Sequence, residues 1–479
     1  MLEAESSEGK DFQTLVELLI WRAQSKPQHP TYTFLTDGEA DAVQLSNESL
    51  DQQARWICQQ LQTFEARGER VLLVFPAGLS YVAAFFGCLY AGAIATPIYP
   101  PRPNRSLERL KSIVEDAQPT IALTTAAALE RLQQLPELPW LKKLKWIVTD
   151  NWQEPQGTVA VESVEEDAIA FLQYTSGSTA APKGVMVTHK NLLHNLAWIA
   201  QQFNHTSQMR VVNWLPPYHD MGLIGGILQP LYCGGSVVLM DPAQFLQKPL
   251  RWLQAISRYQ VATSGAPNFA YDLCVERATP QDKAELDLSS WRVAFTGAEP
   301  IRAETLSRFA TAFAECGFRQ ETFLPCYGMA ETTLMTTGKR ASEQLVCKTV
   351  QGTALRLNQV FEVDATEEDA QTLVSCGYSA SDQAVRIVEP DQLTPCSPEQ
   401  VGEIWVSGPS VAKGYWNQPE LTQAVFYADL DGDGPFLRTG DLGFTSGGEL
   451  YITGRRKDLL IFRGQNHYPQ DIEATIAQC

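Results

Sequence analysis

The 479-residue sequence lacks an apolar run long enough to cross a membrane. Its longest apolar stretch, residues 81–95, is interrupted by glycine and ends before Thr96 and Pro97, so we predict a buried helix there. The first ten residues, MLEAESSEGK, also lack the apolar region of a secretory signal. We therefore expect no membrane span.

Paired-cysteine motifs are missing as well. The ten cysteines include no C-x-x-C pair and are scattered from Cys58 to Cys479, which favours reduced thiols and a cytoplasmic location. The histidines show no metal-ligand spacing. His189, His194 and His205 are too irregular for one zinc site, and we predict that they lie on the surface.

Positive charge is scarce. The 37 basic and 55 acidic residues give a net charge of −18, which argues against nucleic acid or an anionic membrane as the main partner. A negatively charged ligand would need a local basic pocket. The apolar content of 44% is sufficient for buried cores. The length allows about two to four domains or subdomains.

Strand and helix signals alternate through the first two thirds of the chain. RVLLVF at 70–75 is predicted to be a buried strand, and RVVNWL, SVVLM, VATS and RVAFTG continue the pattern. Helices are predicted between them at 220–232, 268–278 and 302–316. This order predicts an α/β fold with mainly parallel sheets flanked by helices.

The loops after these strands are the candidate binding loops. Ligands of parallel α/β sheets bind at the carboxyl ends of the strands. The loops at 264–268, 297–300 and 326–331 occupy those ends. After about residue 340 the chain changes to short strands with glycine and proline turns, which predicts a small antiparallel β-barrel.

The segment YTSGSTAAPKG at 174–184 has the composition of a phosphate-binding loop. It is not a Walker loop, because the required Gly-Lys-Ser/Thr ending is missing. The flanking sequences both predict strands. Exposed N–H groups near Gly177, several hydroxyl groups and Lys183 could together bind an anion. A solvated hairpin rich in serine and glycine is the alternative.

Two other motifs are less specific. His219 in LPPYHDMG lies at a strand-to-helix loop where a ligand could reach it, although Asp220 could simply cap the next helix. Asp429, Asp431 and Asp433 match half of a calcium loop, but Gly440 stands where a bidentate glutamate is required. We interpret this segment as an acidic turn between two strands.

Six motifs taken together are more informative. YTSGSTAAPKG, WLPPYHDMGL, FTGAEPIR, CYGMAETT, FLRTGDLG and YITGRRKD occur in this order. The order resembles the acyl-adenylate-forming (ANL) superfamily, and most closely its fatty acyl-AMP ligases, over residues 11–479. Such ligases load acyl carrier proteins and often begin the chains of polyketide assembly lines.

The resemblance implies an ATP-dependent ligase that also needs Mg²⁺. ATP and a fatty acid would give acyl-AMP and pyrophosphate, and the acyl group would pass to the thiol of an acyl carrier protein. Lys183, His219 and Glu331 would be catalytic, with Glu331 holding Mg²⁺ and His219 gating entry of the carboxylate. The implied nucleotide-binding residues are Thr175, Ser176, Gly177, Ser178, Thr179, Gly297, Ala298, Glu299, Pro300, Tyr327, Gly328, Met329, Ala330, Asp441 and Arg455.

Individual roles follow from the same resemblance. Residues 175–179 would contact the β- and γ-phosphates, 297–300 would border the adenine, and Tyr327 would stack on it. Asp441 would accept the ribose hydroxyls and Arg455 would reach ribose and phosphate. Ala330 replaces the threonine common in the superfamily, so its side chain has no hydroxyl to donate to the α-phosphate. Taken alone, Asp441 could cap a turn and Glu331 could start a helix.

The resemblance also implies a domain organisation. Residues 1–455 would form the large adenylation domain, with α/β subdomains at 1–190 and 191–340 and a barrel-like part at 376–455. Residues 343–372 resemble the insertion that disfavours coenzyme A as acceptor in fatty acyl-AMP ligases. Residues 456–479 resemble a hinge at Lys457 and the stub of a C-terminal domain. We expect that domain and its catalytic lysine to be absent. The chain would then bind ATP and acyl-adenylate but adenylate slowly or not at all.

Three alternatives remain open at this stage. An acyl-coenzyme A synthetase would differ in the 343–372 segment. An amino-acid-activating domain needs an acid to anchor the α-ammonium group, for which Asp220 is the available candidate. A non-catalytic adenylate-binding module would be consistent with the missing lysine.

Overall fold

The computed structural model describes residues 11–101, 107–134, 143–154, 157, 159–175, 182–462, 465–467 and 469. The chain forms two compact units. The first comprises the chain up to Ala200, His205–Val261 and Ala412–Pro419, and the second comprises Gln201–Asn204, Ala262–Val411 and the chain from Glu420 onward. The predicted subdomains at 1–190, 191–340 and 376–455 stay predictions.

The described secondary structure follows the chain in this order. The strands are β1 (Tyr32–Leu35), β2 (Ala42–Leu45), β3 (Arg70–Leu73), β4 (Ile94–Pro97), β5 (Ile121–Thr124), β6 (Lys145–Val148), β7 (Ile169–Tyr174), β8 (Gly184–Thr188), β9 (Arg210–Asn213), β10 (Ser236–Met240), β11 (Thr263–Gly265), β12 (Val293–Thr296), β13 (Phe323–Gly328), β14 (Met335–Gly338), β15 (Cys347–Gln351), β16 (Ala370–Val374), β17 (Tyr378–Ser379), β18 (Ala384–Val388), β19 (Gly402–Ser407), β20 (Ala428–Leu430), β21 (Asp433–Ser446), β22 (Glu449–Arg455), β23 (Leu460–Phe462) and β24 (Gln465–His467).

The α-helices lie between these strands. They are α1 (Leu15–Ser25), α2 (Asn47–Gln62), α3 (Leu79–Tyr90), α4 (Glu108–Ala117), α5 (Ala126–Gln133), α6 (His189–Gln202), α7 (Gln229–Cys233), α8 (Pro242–Gln247), α9 (Leu250–Tyr259), α10 (Asn268–Arg277), α11 (Pro280–Ala284), α12 (Ala303–Phe313), α13 (Gly352–Leu355) and α14 (Pro419–Phe426). A π-helix spans Met221–Leu228, and short 3₁₀ helices span Thr149–Asn151, Ala314–Cys316, Gln320–Thr322, Ala330–Thr332 and Arg456–Asp458.

The first unit contains a six-stranded sheet in the order β6-β5-β3-β4-β7-β8. All neighbours in it are parallel except β7 and β8, which are antiparallel. The prediction of one buried helix over residues 81–95 is wrong for residues 91–95. Helix α3 ends at Tyr90, Gly92 turns the chain with a φ of 63°, and β4 begins at Ile94. A short apolar run has no period that separates a buried helix from a buried strand.

A second set of strands in the first unit combines distant parts of the sequence. β9, β10 and β1 are parallel neighbours, and β2 pairs antiparallel with β1. β1 and β2 therefore belong with strands that begin about residue 210. The side chains of Leu50, Ala54, Ile57 and Leu61 form the buried face of α2.

The second unit has a parallel part and an antiparallel part. β11, β12 and β13 are parallel, and β14 and β17 continue from β13 in antiparallel pairing. The predicted α/β class with mainly parallel sheets is therefore confirmed. In the barrel-like part, β18, β19, β21 and β20 form an antiparallel sheet in that order, and β22 also pairs with β21. The long β21 pairs with three strands, β19, β20 and β22. Among the described strands, β18 and β20 lie at the two ends of this order, so the sheet is open.

In the acidic segment at 429–433, Asp431 and Gly432 form the predicted turn, while Asp429 and Asp433 lie in the flanking strands β20 and β21. β15 and β16 pair as a two-stranded antiparallel sheet. The residues between them, 352–369, make up most of the predicted insertion at 343–372. None of the nine cysteines in the described residues forms a disulfide. In the described part of the chain, no helix is both long and apolar enough to span a bilayer.

Candidate active site

The predicted phosphate-binding loop joins β7 to β8. Tyr174 is the register partner of Gly184, and the Thr175 N–H donates to the Lys183 carbonyl at 3.1 Å. The prediction of a strand on each side of the loop is confirmed. Of the predicted loop residues, Ser176, Gly177, Ser178 and Thr179 lie outside the described residues. The described ends of the loop are therefore held together as the base of a hairpin.

Side chains fix the two ends of this loop. The Tyr174 hydroxyl donates to Asp116 Oδ2 at 2.6 Å, and burial raises the pKa of Asp116. Arg109 donates to the Thr175 carbonyl at 3.2 Å. A Cβ at Gly184 would lie 2.9 Å from the Tyr174 ring, so a larger residue at 184 would displace that ring. The loop is therefore anchored to α4 by Asp116 and Arg109.

His219 forms a pair with the residue that follows it. Its Nδ1 lies 2.8 Å from Asp220 Oδ1, and this hydrogen bond raises the pKa of His219 although burial opposes the shift. The same Asp220 oxygen accepts the Met221 N–H at 2.7 Å. Asp220 therefore both caps the following helix and orients the imidazole. The His219 side chain remains 43% exposed, so a ligand can reach it.

The helix predicted over residues 220–232 is present but begins as a π-helix. Wide turns of this kind are frequent at functional sites. The Asn213 amide donates to the Gly222 carbonyl at 3.2 Å, and a Cβ at Gly226 would lie only 1.8 Å from Asn213 Nδ2. The glycines thus allow the π-helix to approach β9. Sequence periodicity could not reveal the wider helix.

The predicted adenine loop lies in the second unit, after β12. Ala298 has a φ of 71°, an uncommon conformation for a residue with a side chain. The Asn268 amide donates to the Pro300 carbonyl at 2.9 Å and accepts the Arg302 N–H at 3.1 Å. Asn268 therefore holds the end of the loop, and it is itself the last residue of the candidate binding loop at 264–268. Gly297 is buried, whereas Ala298, Glu299 and Pro300 are exposed.

Tyr327, Asp441 and Arg455 are brought together in the second unit. The Tyr327 hydroxyl donates to Asp441 Oδ2 at 2.7 Å, and Arg455 Nε lies 3.2 Å from Asp441 Oδ1. Asp441 and Arg455 are register partners of β21 and β22. Burial raises the pKa of Asp441, although Arg455 and Tyr327 oppose this shift. Burial likewise raises the pKa of Tyr327, so its hydroxyl remains a donor.

Residues 328–331 form a tight turn after β13. A Cβ at Gly328 would lie 1.7 Å from the Leu334 carbonyl oxygen, so only glycine fits there. Ala330 and Glu331 begin a 3₁₀ turn, and both are buried, while Met329 precedes it. The Thr333 hydroxyl donates to the Ser410 carbonyl at 2.7 Å. The turn therefore places Glu331 within a constrained backbone.

Lys457, the predicted hinge residue, lies in the 3₁₀ helix that follows β22. Its side chain is exposed, and its charge lowers the pKa of Asp441, although the burial effect is larger. The neighbouring Arg456 forms a 2.7 Å ion pair with Asp391. The hinge role itself remains a prediction.

Comparison with known proteins decides the family. A protein-family model described as AMP-binding enzyme matches residues 20–416. The chain belongs to this family. A medium-chain-fatty-acid–[acyl-carrier-protein] ligase, JamA of Moorena producens (strain JHB), is 46% identical over 97% of this chain and 80% of its own length. The ligase of the same description from Teredinibacter turnerae (strain ATCC 39867 / T7901), TtuA, is 37% identical over 98% of this chain and 80% of its own length.

A solved structure is similarly close. The fatty acyl-adenylate ligase from Legionella pneumophila, crystallised in complex with acyl adenylate and pyrophosphate, has a TM-score of 0.87 and 45% identity to this AMP-binding enzyme. The similarity covers 98% of this chain and 82% of the other. The predicted resemblance to fatty acyl-AMP ligases is therefore confirmed.

Proposed function

We propose that this enzyme activates a medium- or long-chain fatty acid with ATP, giving fatty acyl-AMP and pyrophosphate. The acyl group then passes to the phosphopantetheine thiol of an acyl carrier protein, in a polyketide-type assembly line. The relatives named as fatty-acid–[acyl-carrier-protein] ligases support the acid and the acceptor. The family supports the use of ATP.

The observation that carries the proposal is the buried carboxylate of Asp441. Two carboxylate oxygens can accept about four hydrogen bonds, and Tyr327 and Arg455 leave acceptor positions for the two ribose hydroxyls. The Arg455 side chain is 51% exposed, so its guanidinium group can reach ribose and phosphate. The bond to Asp441 also fixes the Tyr327 ring, which suits stacking on adenine.

The chemistry requires neutralisation of negative charge. A fatty acid oxygen attacks the α-phosphorus, the bond to the β-phosphate breaks, and pyrophosphate leaves. Lys183 and the N–H and hydroxyl groups of 175–179 stabilise the phosphate charge. His219, held by Asp220, contacts the entering carboxylate. In the second step the carrier thiolate attacks the acyl carbonyl carbon and AMP leaves.

Glu331 is the residue proposed to hold Mg²⁺. Across the described residues, no group of three or more histidine, cysteine, aspartate or glutamate side chains could hold a metal. A single constrained carboxylate fits Mg²⁺, which proteins commonly bind through one or two carboxylates and substrate phosphates. When bound, Mg²⁺ would neutralise phosphate charge. Chelation with EDTA is expected to abolish acyl-AMP formation.

The decisive experiment is mass-spectrometric detection of acyl-AMP. The protein is incubated with Mg-ATP and saturated fatty acids from octanoic to octadecanoic acid. Asp441→Asn should lower kcat/KM for ATP roughly 10- to 100-fold, because hydrogen bonds to a charged group contribute about 1.5–3 kcal/mol. The matched control is Asp431→Asn, which changes an exposed turn residue of positive φ. No acyl-AMP with any acid, or equal effects of the two variants, would contradict the proposal.

A further inference from the structure

A short segment outside the predicted motifs pairs with the strand that follows the phosphate-binding loop. We call residues 413–416 the edge segment. The Lys413 N–H donates to the Met186 carbonyl at 3.0 Å, the Met186 N–H to the Gly414 carbonyl at 2.9 Å, and the Trp416 N–H to the Gly184 carbonyl at 2.8 Å. Val185 and Tyr415 form an antiparallel bridge. The edge segment therefore continues the sheet beyond β8.

Further contacts fix the edge segment in place. The guanidinium of Arg70 lies 5.3 Å from the centroid of the Trp416 ring. The Asn417 amide donates to the Asp116 carbonyl at 2.9 Å. Asp116 also accepts the Tyr174 hydroxyl, which belongs to the first residue of the loop. Asp116 of α4 thus contacts both the phosphate-binding loop, through Tyr174, and Asn417, which follows the edge segment.

Tyr415 is the residue of this segment that contacts Lys183. The Lys183 ammonium lies 4.8 Å from the centroid of the Tyr415 ring, and the ring belongs to a residue that is 5% exposed. Within the described ranges, Lys183 forms no ion pair with a carboxylate. A free lysine side chain samples many rotamers, and much of this conformational freedom must be lost when it binds a phosphate. The aromatic face reduces that loss while leaving the ammonium hydrogens able to donate.

We propose that Tyr415 is a positioning residue that holds the Lys183 ammonium in the orientation in which it contacts the phosphates of ATP. This inference rests on the proposed function, since it assumes that Lys183 acts on ATP. Tyr415 touches neither the reacting atoms nor the nucleotide in this scheme. It acts through Lys183, and its effect should disappear when Lys183 is removed.

The test is a double-mutant cycle on acyl-AMP formation with Tyr415→Leu and Lys183→Met. Tyr415→Leu should lower kcat/KM for ATP roughly 3- to 30-fold, the range expected for cation–π contacts that are partly desolvated. Tyr415→Phe, which keeps the aromatic face, should remain within about twofold of the unsubstituted enzyme. In the Lys183→Met background, Tyr415→Leu should add less than about twofold. Tyr427→Leu, at a tyrosine that is 48% exposed, is the matched control.

Two results would overturn the inference. One is an equal loss from Tyr415→Leu with and without Lys183, which would indicate a purely structural effect. The other is a gain of activity, which would mean that the ring holds Lys183 away from ATP. If Tyr415→Leu does not fold, phenylalanines of increasing fluorination at 415 replace it, because they keep the shape of the ring and weaken its negative face. Activity should then fall with each added fluorine, and constant activity would overturn the inference.

Failure of the proposed function can be recognised separately. If the unsubstituted protein forms no acyl-AMP, the same cycle is measured on the dissociation constant of Mg-ATP by calorimetry. Weaker ATP binding by Tyr415→Leu only when Lys183 is present would support the positioning role without the ligase activity. Unchanged affinity, or no ATP binding at all, would reject it.

Discussion

Arg22 of α1 caps the C-terminal end of α7, a helix about 200 residues further along the chain. It is 1% exposed, and its Nε and Nη2 donate to the carbonyls of Leu231 and Tyr232 at 3.0 and 2.7 Å. These carbonyls belong to the last turn of α7, where helical partners are lacking. A positive charge at a helix C-terminus is also favoured by the helix dipole. The contacts join α1 to α7 within the first unit.

Replacing Arg22 should therefore destabilise the protein. We expect Arg22→Met to lower the free energy of unfolding by roughly 2–4 kcal/mol, because the buried Leu231 carbonyl and the partly buried Tyr232 carbonyl lose a charged donor. Arg22→Lys should have an intermediate effect, since one ammonium cannot reproduce the planar fork. Urea unfolding measures both. Arg131→Met changes an exposed arginine and serves as the control. Similar losses from Arg22→Met and Arg131→Met would refute the role.

Residue identities were easier to predict than residue contacts. The ordered motifs indicated Tyr327 and Asp441, but the 2.7 Å bond between them joins positions 114 apart and has no local sequence signal. The prediction that His189 and His205 lie on the surface is wrong, since they are 2% and 4% exposed. Their burial depends on packing against distant elements. The Leu15 N–H, for example, donates to His189 Nδ1 at 3.3 Å.

The π-helix over residues 221–228 needs its glycines in order to pack closely against neighbouring residues. A Cβ at Gly222 would lie 2.0 Å from the Pro216 carbonyl oxygen, which is backbone, whereas one at Gly226 would meet the Asn213 side chain. Both substitutions should destabilise the protein, by about 1–3 kcal/mol or more. Gly222→Ala should be the more destabilising, because the Pro216 backbone can move away from an added Cβ less easily than the Asn213 side chain can.

A second substitution can test this explanation of Gly226. In an Asn213→Ala background the obstacle to a Cβ is gone, so Gly226→Ala should destabilise much less than it does alone. Thermal unfolding of the four proteins in the cycle gives the comparison. An equal effect of Gly226→Ala in both backgrounds would show that helix propensity, and not the contact with Asn213, limits position 226.

Leu355 packs the predicted insertion, residues 343–372, against the core of the second unit. Leu355 of α13 is 2% exposed and packs with Val350, Leu442 and Phe444, whereas Leu357 is 58% exposed. Leu355→Ala should lower the free energy of unfolding by about 2–5 kcal/mol, and Leu357→Ala should have almost no effect. Urea unfolding checks this difference.

The same pair of variants tests the proposed role of residues 343–372 in acceptor choice. If the packed insertion disfavours coenzyme A, Leu355→Ala should raise the ratio of acyl-coenzyme A to acyl-carrier-protein product, and Leu357→Ala should not. Chromatography of both products in competition gives the ratio. An unchanged ratio for a folded Leu355→Ala protein would argue against the insertion as the determinant.

At the scale of the whole molecule, the α/β class was predictable because each strand and helix has a local period. The place of β1 and β2 in their sheet was not, since the pairing of β1 with β10 spans about 200 residues and depends on long-range packing. The same limit applies to the antiparallel part, where turn residues predicted hairpins but not the sharing of β21. Local sequence patterns therefore predicted where strands and helices lie. Which strands become neighbours in a sheet is decided by tertiary contacts.

The buried histidines give stability a definite pH dependence. Burial lowers the pKa of His189 to about 4 and that of His205 to about 3. Above about pH 6.5 both are neutral in the folded and the unfolded chain. Below it the unfolded chain binds protons that the folded chain does not, so the free energy of unfolding falls by about 1.4 kcal/mol per pH unit for each histidine. His219 acts in the opposite direction, because its pKa is raised.

Single variants separate these contributions. Between pH 7 and pH 5, His189→Asn or His205→Asn should each reduce the fall in unfolding free energy by about 2 kcal/mol, since asparagine does not titrate. Asp116 and Asp441, whose pKa values are raised by burial, stay common to all variants and cancel in the difference. Between pH 7 and pH 8 each variant should differ from the parent by a constant amount. A constant difference down to pH 5 would show that the histidine takes up its proton in the folded protein.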